Sequence, residues 1–173
     1  MKILYISQSE IPSESANSIH VMKMCCSLSK IKDTEVDLFC LNSFSNNLDI
    51  KNVYNFYLVE KNFNILRLSV FNFWLFREIQ TLFYIIFCLL KKNYDLIYSR
   101  SIHLSWFLGF FGIRTILEIH SPPSKKTIFF LKDLLKKNKV KKFIVINNAL
   151  KDYFINNYNL NKHLKIQVCP DAS

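Results

Sequence analysis

Asp95-Leu-Ile-Tyr-Ser99, which runs into Arg100-Ser101, and Thr115-Ile-Leu-Glu-Ile119, which runs into His120-Ser121, decide the fold. Each is a short apolar run that stops at polar residues. Two more behave alike: Lys2-Ile-Leu-Tyr-Ile-Ser7 meets Gln8-Ser9, and Phe143-Ile-Val-Ile146 meets Asn147-Asn148. Helix-like segments separate them. Apolar strands alternating with helices predict a Rossmann-like α/β fold, a parallel sheet of about seven strands with helices on both faces. Ligands of such sheets bind beyond the carboxyl ends of the strands. The polar stops therefore mark a site before any chemistry is named.

The wider chain fits this reading. Its 173 residues make one domain with a sizeable core, and 50% are hydrophobic, 16 of them Phe. The formal net charge is +10. Such a balance points to phosphate, nucleic acid or an anionic membrane, or to an ordinary solvated lysine surface. Arginine is scarce, and the aromatics fall in apolar helices rather than among the lysines, so no nucleic acid partner is expected. Cys25, Cys26, Cys40, Cys88 and Cys169 show no metal-ligand spacing. They read as small buried hydrophobes of a reduced, cytoplasmic compartment. The N-terminus reads as a strand and not a signal peptide.

The pattern predicts a first strand ending near Ser7, a loop from Gln8 to Ser15, and a helix from about Asn17 to Ile31. A strand at 35–41, a polar loop at 43–52 and a third strand near Asn55 to Val59 come next. Leu66 to Leu90 is the most apolar stretch, broken by Arg77 and Glu78 and too short to span a bilayer. As a helix it shows a polar stripe at Arg77, Thr81, Tyr84, Cys88 and Lys91, with the rest of the circumference apolar. That excess suggests a second packing surface, either a protein element or a membrane interface, unless the helix is sunk in a thick core. A helix near His103 to Phe110, a basic helix at 124–138, a helix at 149–157 and a last strand at 164–168 complete the expectation.

Several motif-borne chemistries are not expected. No GxGxxG follows the first strand, and there is no P-loop, no GxSxG elbow and no HExxH. A ligand must instead meet helix N-termini and strand-end polar groups. The turn holding Ser15, Ala16, Asn17 and Ser18 opens a helix and can hold a phosphate, or it is a plain N-cap loop. His120 can donate to a sugar hydroxyl or phosphate, or be structural. Glu118 shares its sheet face and either faces the cleft or orients a neighbour. Arg100 is a candidate anion clamp or a surface ion-pair partner. Asn147 is the polar stop of its strand. No metal-ligand set is expected.

Read together, these segments resemble the N-terminal, acceptor-binding half of a family 4 glycosyltransferase with the two-domain GT-B fold. The matching stretches are Met1-Lys-Ile-Leu-Tyr-Ile-Ser7, Ile11-Pro-Ser-Glu-Ser-Ala-Asn-Ser-Ile-His-Val-Met-Lys-Met24, Tyr94-Asp-Leu-Ile-Tyr-Ser-Arg100, Ile116-Leu-Glu-Ile-His-Ser-Pro-Pro123, Phe143-Ile-Val-Ile-Asn-Asn-Ala-Leu-Lys-Asp-Tyr153 and Val168-Cys-Pro-Asp171. The resemblance implies retaining, metal-independent transfer from a nucleotide-sugar donor, used as substrate with no cofactor, to a glycan or lipid-linked acceptor in cell-surface polysaccharide synthesis. It implies that Ser15 to Ser18 approach the donor phosphates or acceptor, and that His120 lies close to the reacting sugar. Ser15-Ala16 stands where many relatives have Gly-Gly. Residues 1–168 would be the N-terminal domain and 169–173 the start of the hinge, with the donor-binding domain absent. The chain alone would then be inactive and need that half as a partner. The alternative is a non-catalytic remnant or scaffold that pairs with another transferase subunit at the membrane. Lys125-Lys126 and the lysines of 136–142 suggest a peripheral place at the inner face of the cell membrane.

Overall fold

Runs of Ile, Leu, Val and Phe with no helical spacing satisfy their backbone in a sheet, and the computed structural model pairs them so. It describes residues 1–42, 50–70, 74–137, 139–158 and 166–170, and the structural statements below concern these. Strands alternate with helices: β1 (Lys2–Ile11), α1 (Ala16–Ser29), β2 (Glu35–Asn42), α2 (Ile50–Phe56), β3 (Asn64–Leu68), α3 (Trp74–Lys91), β4 (Leu96–Ser99), α4 (Ile102–Phe110), β5 (Thr115–Ile119), α5 (Lys125–Lys136), β6 (Val140–Val145), α6 (Asn148–Tyr158) and β7 (Ile166–Val168). The seven strands are parallel in every described pairing. The expected Rossmann-like α/β architecture is the one the chain adopts. Contacts divide it into two units, Met1–Leu96 and Ile97–Ser173.

The first unit orders its strands β3-β2-β1. Ile3, Leu4, Tyr5 and Ile6 of β1 and Val36, Leu38 and Phe39 of β2 are all at 1% exposure or less. Val21, Met22 and Cys25 of α1 are buried as well. β1 runs past Ser7 to Ile11, beyond its expected end. A shift in register between Ile6 and Glu10 lets Glu10 and Ile11 pair with Leu41 and Asn42. A carboxylate of β2 is buried here: Asp37 accepts from Lys92 Nζ at 2.8 Å, Tyr94 Oη at 2.6 Å and Asn64 Nδ2 at 2.8 Å. Burial pushes its carboxyl up, but these three donors outweigh that and hold it below the usual carboxylate range.

The strand expected at Asn55 to Val59 is the end of helix α2 and its cap, and β3 follows at 64–68. Val53, Tyr54 and Tyr57 are buried at helical spacing. The helix closes with Leu58 N–H on Asn55 O and Val59 N–H on Tyr54 O, a Schellman pair of bonds. Leu58 takes the left-handed position at φ 53° and is 93% exposed. Glycine is at ease there and leucine is not. Leu58→Gly is expected to raise stability by about 1 kcal/mol, seen as a higher melting temperature.

The long apolar helix also differs from expectation. Leu66 to Leu68 belong to β3, and α3 begins at Trp74. Its buried line is Glu78, Thr81 and Ile85, so a polar side chain from the expected outer stripe faces inward. Both Glu78 carboxylate oxygens accept from Gln8 Nε2 at 3.0 Å, which offsets its desolvation. Phe76, Ile79, Phe83, Phe87 and Leu90 form the exposed line instead, at 43–83% exposure. No described helix is long and apolar enough to cross a membrane. The expected loop at 43–52 falls largely outside the described residues, apart from Ile50, Lys51 and Asn52, which start α2.

The second unit orders β4-β5-β6-β7. Leu117, Leu131, Leu134, Val140, Phe143 and Phe154 build its core. Gly112 turns the chain out of α4 at φ 72°.

Candidate functional site

β4 and β5 pair as Tyr98 with Ile116 and Ser99 with Leu117. Side chains alternate along a strand, so Tyr98 and the following Arg100 share a face. Glu118 and His120 share one by the same rule. The structure joins these four at the carboxyl ends of the two strands. Glu118 is 3% exposed and its carboxylate is the hub. Oε2 accepts from Tyr98 Oη, and Oε1 bonds His120 Nε2. Arg100 Nε lies 3.6 Å from Oε1.

Three groups around one buried carboxylate set its charge. Burial pushes the Glu118 carboxyl up, but bonds from His120 and Tyr98 and the charge of Arg100 prevail and hold it below the ordinary glutamate range. The ionised oxygen can only accept, so His120 Nε2 is the donor. That bond fixes the tautomer and the ring orientation. Tyr98 is pushed well above the usual phenol range by burial and by the facing carboxylate, and stays protonated.

Arg100 is locally fixed. Ser99 Oγ accepts from Ser101 N–H at 3.2 Å and donates to Ser101 O, which tightens the turn around it. Ser101 then caps α4 by accepting from Leu104 N–H. The Arg100 side chain is 8% exposed. Its Nη1 is buried with no hydrogen-bond partner among the described residues. A guanidinium with unspent buried donors suits a planar anion.

The other expected residues make local helix-cap and turn bonds. In the first unit, Ser15 caps α1 by accepting from Ser18 N–H at 3.2 Å. Ser13, Ser15 and Ser18 hydroxyls lie within 3.1 Å of one another, and Ser18 donates to Ser13 O at 2.7 Å. Ala16 is the first helical residue, and Asn17 Nδ2 donates to Ser9 Oγ at 2.5 Å. Tyr57 Oη accepts from Ser13 N–H and donates to Ser13 O, so it braces the turn. Asn147 follows β6, and its Oδ1 accepts from Leu150 N–H at 2.7 Å, a helix cap for α6.

Sequence reasoning missed Tyr98 and Tyr57. Tyr98 was findable, being two residues before Arg100 on the same strand. Tyr57 was not, since its role depends on a bond across 44 positions. The five cysteines are free thiols; Cys25, Cys26 and Cys40 are buried, and Cys88 and Cys169 are partly buried.

No protein-family profile and no curated protein matches this chain. Solved structures do match. Sucrose-phosphate synthase from Thermosynechococcus elongatus aligns with a TM-score of 0.65 at 12% identity, over 100% of this chain and 90% of that one. The lipopolysaccharide outer core galactosyltransferase WaaB, in its apo form, aligns with 0.62 at 12% identity, over 97% of this chain and 45% of its own. HepE from Anabaena, solved with UDP and glucose, aligns with 0.52 at 16% identity, over 100% of this chain and 45% of its own. The chain spans about half the length of the latter two. Over the aligned residues the chain shares the α/β fold of these structures.

Proposed function

We propose that the chain is the acceptor-binding half of a retaining, metal-independent glycosyltransferase of family 4. A nucleotide-sugar is the donor substrate, and a second, donor-binding half holds most of it. The acceptor is a glycan or a lipid-linked sugar, and cell-surface polysaccharide synthesis is the setting. The observation that supports this most is the carboxylate-held His120 beside the buried Arg100 at the carboxyl ends of β4 and β5.

The chemistry asks for such groups. Transfer breaks the bond from the anomeric carbon to the diphosphate and forms one to an acceptor oxygen. The acceptor must be oriented, and negative charge grows on the leaving diphosphate. An oriented Nε2–H tautomer of His120 holds the imidazole at one angle to the sugar. Arg100 supplies fixed positive charge in a site where water is scarce. In the same reading, the positive start of α1 at Ser15, Ala16, Asn17 and Ser18 approaches phosphate or acceptor.

Two measurements test it. NMR titration of the chain with oligosaccharide and lipid-linked acceptors is expected to move the His120 and Arg100 side-chain resonances. Mixing the chain with a donor-binding half, and screening nucleotide-sugars by product mass, is expected to give a new glycoside only when both are present. Neither acceptor binding nor product in any combination would leave the scaffold alternative.

A further inference from the structure

We infer that α3 is the seat of a homodimer: two copies of this chain pair antiparallel along its exposed apolar line, across a two-fold axis at Phe83. The inference is independent of the sugar-transfer reading. Phe76, Ile79, Phe83, Phe87 and Leu90 make that line. The steps between them are three, four, four and three residues. Their mean is about 3.5, the repeat of paired helices. The series also reads the same in both directions. An antiparallel partner centred on Phe83 therefore meets the line with its own copy of it: Phe83 faces Phe83, Ile79 faces Phe87 and Phe76 faces Leu90. Such self-matching is what a closed two-fold interface asks of one surface.

The fold holds this line outward. Glu78, Thr81 and Ile85 bury the opposite side of the helix. Tyr84 packs on Phe39 of β2 at 5.6 Å between ring centroids, and Gln80 Nε2 donates to Ser69 O at 3.0 Å. With Phe83 at 68% and Leu90 at 83% exposure, the five side chains leave on the order of 500 Å² of apolar surface in water, about the largest patch that a monomer shows. Two copies joined on it bury on the order of 1,000 Å², where specific, reversible interfaces begin.

Charge selects the occupant. Met1–Leu96 holds ten Lys and Arg against nine Asp and Glu, while Ile97–Ser173 holds thirteen against four. The unit that carries α3 is thus nearly neutral and does not repel its own copy. No charged side chain stands in the line. Lys91 at its end lays its ammonium 4.3 Å from the Phe87 ring centroid, and Lys92 pairs with Glu35 at 2.6 Å and Asp37 at 2.8 Å. An anionic headgroup layer would ask for a row of free cations along the helix. A charged partner protein would find no counter-charge there.

The experiment is sedimentation velocity of the full chain over a concentration series. A dimer is expected with a dissociation constant on the order of micromolar, and it should persist at high salt because no ion pair holds it. The variant Phe83→Ser/Phe87→Ser should weaken it by about a hundredfold or more, with circular dichroism unchanged since both side chains are exposed. The control Phe110→Ser/Phe129→Ser, outside α3, should dimerise as the wild type does. Disulfide trapping reads the direction of pairing. Phe83→Cys should cross-link to itself, and Ile79→Cys should cross-link to Phe87→Cys, each above the background of the native thiols. A chain that stays monomeric up to about 100 μM overturns the proposal. So does a dimer untouched by the α3 variant, or trapping of Phe87→Cys with itself and not with Ile79→Cys. A monomer that floats with vesicles through Phe83 and Phe87, or that pairs through them only with a separate donor-binding half, overturns it as well.

Discussion

Glu118→Ala is expected to cost about 3–5 kcal/mol of stability, the largest single effect in the second unit. The carboxylate is 3% exposed and three groups depend on it. Its removal leaves the Arg100 guanidinium buried with no described counter-ion and takes a carboxylate partner from the Tyr98 hydroxyl and from the His120 ring. An uncompensated buried charge costs more than the pair gained, because the desolvation has been incurred and the attraction has gone. Glu118→Gln keeps the shape and an acceptor for Tyr98, so about 1–3 kcal/mol is expected. Chemical denaturation of both variants reads the difference. Equal, small losses would mean the carboxylate is not the hub of the cluster.

The same residue gives the cluster a pH dependence. Its folded-state value lies below the ordinary glutamate value, so over that window the unfolded chain binds the extra proton. Stability from Glu118 is therefore present above the ordinary glutamate range, and it is lost as the pH falls through the lowered folded value. Asp37 is depressed in the same direction and adds to acid sensitivity in the first unit. Glu118→Gln should flatten its part of the acid slope and leave that of Asp37.

The parallel strands were legible because their apolar runs are short and end abruptly. Asp95 to Ser99 and Thr115 to Ile119 became β4 and β5 within one residue. The misread segments fail for definable reasons. α2 ends on Leu58 and not on glycine, so nothing in the sequence marked its stop. Asn55 to Val59 looked like a strand, and only the burial of Val53, Tyr54 and Tyr57 at helical spacing says otherwise. α3 inverts the usual rule, with Glu78 and Thr81 inside and Phe83 and Leu90 outside. No periodicity shows which stripe faces inward when a partner such as Gln8 lies 70 positions away. At the site, strand alternation placed Glu118 and His120 on one face. That Glu118 is a shared hub for Tyr98 and Arg100 follows from the β4–β5 register, which a sequence does not contain.

His120→Ala is the sharpest test of the proposed chemistry. The side chain is 23% exposed, so its loss leaves no closed cavity, and the missing bond to Glu118 costs about 1 kcal/mol. The fold should therefore survive, with circular dichroism unchanged. With a donor-binding half and a competent acceptor, turnover is expected to fall by at least about tenfold, because a group oriented next to the reacting sugar acts only in the transition state. His120→Gln separates the roles. An amide keeps a donor for Glu118 but cannot exchange a proton, so it should restore stability without restoring rate. If both variants turn over at the wild-type rate, His120 is outside the reacting centre and the bond to Glu118 is structural. If glutamine restores the rate as well as the fold, the imidazole serves as a positioning group and not as an acid or base. The bond to Glu118 is what makes these outcomes distinguishable, because it holds His120 in one geometry while glutamine can keep that bond without the imidazole.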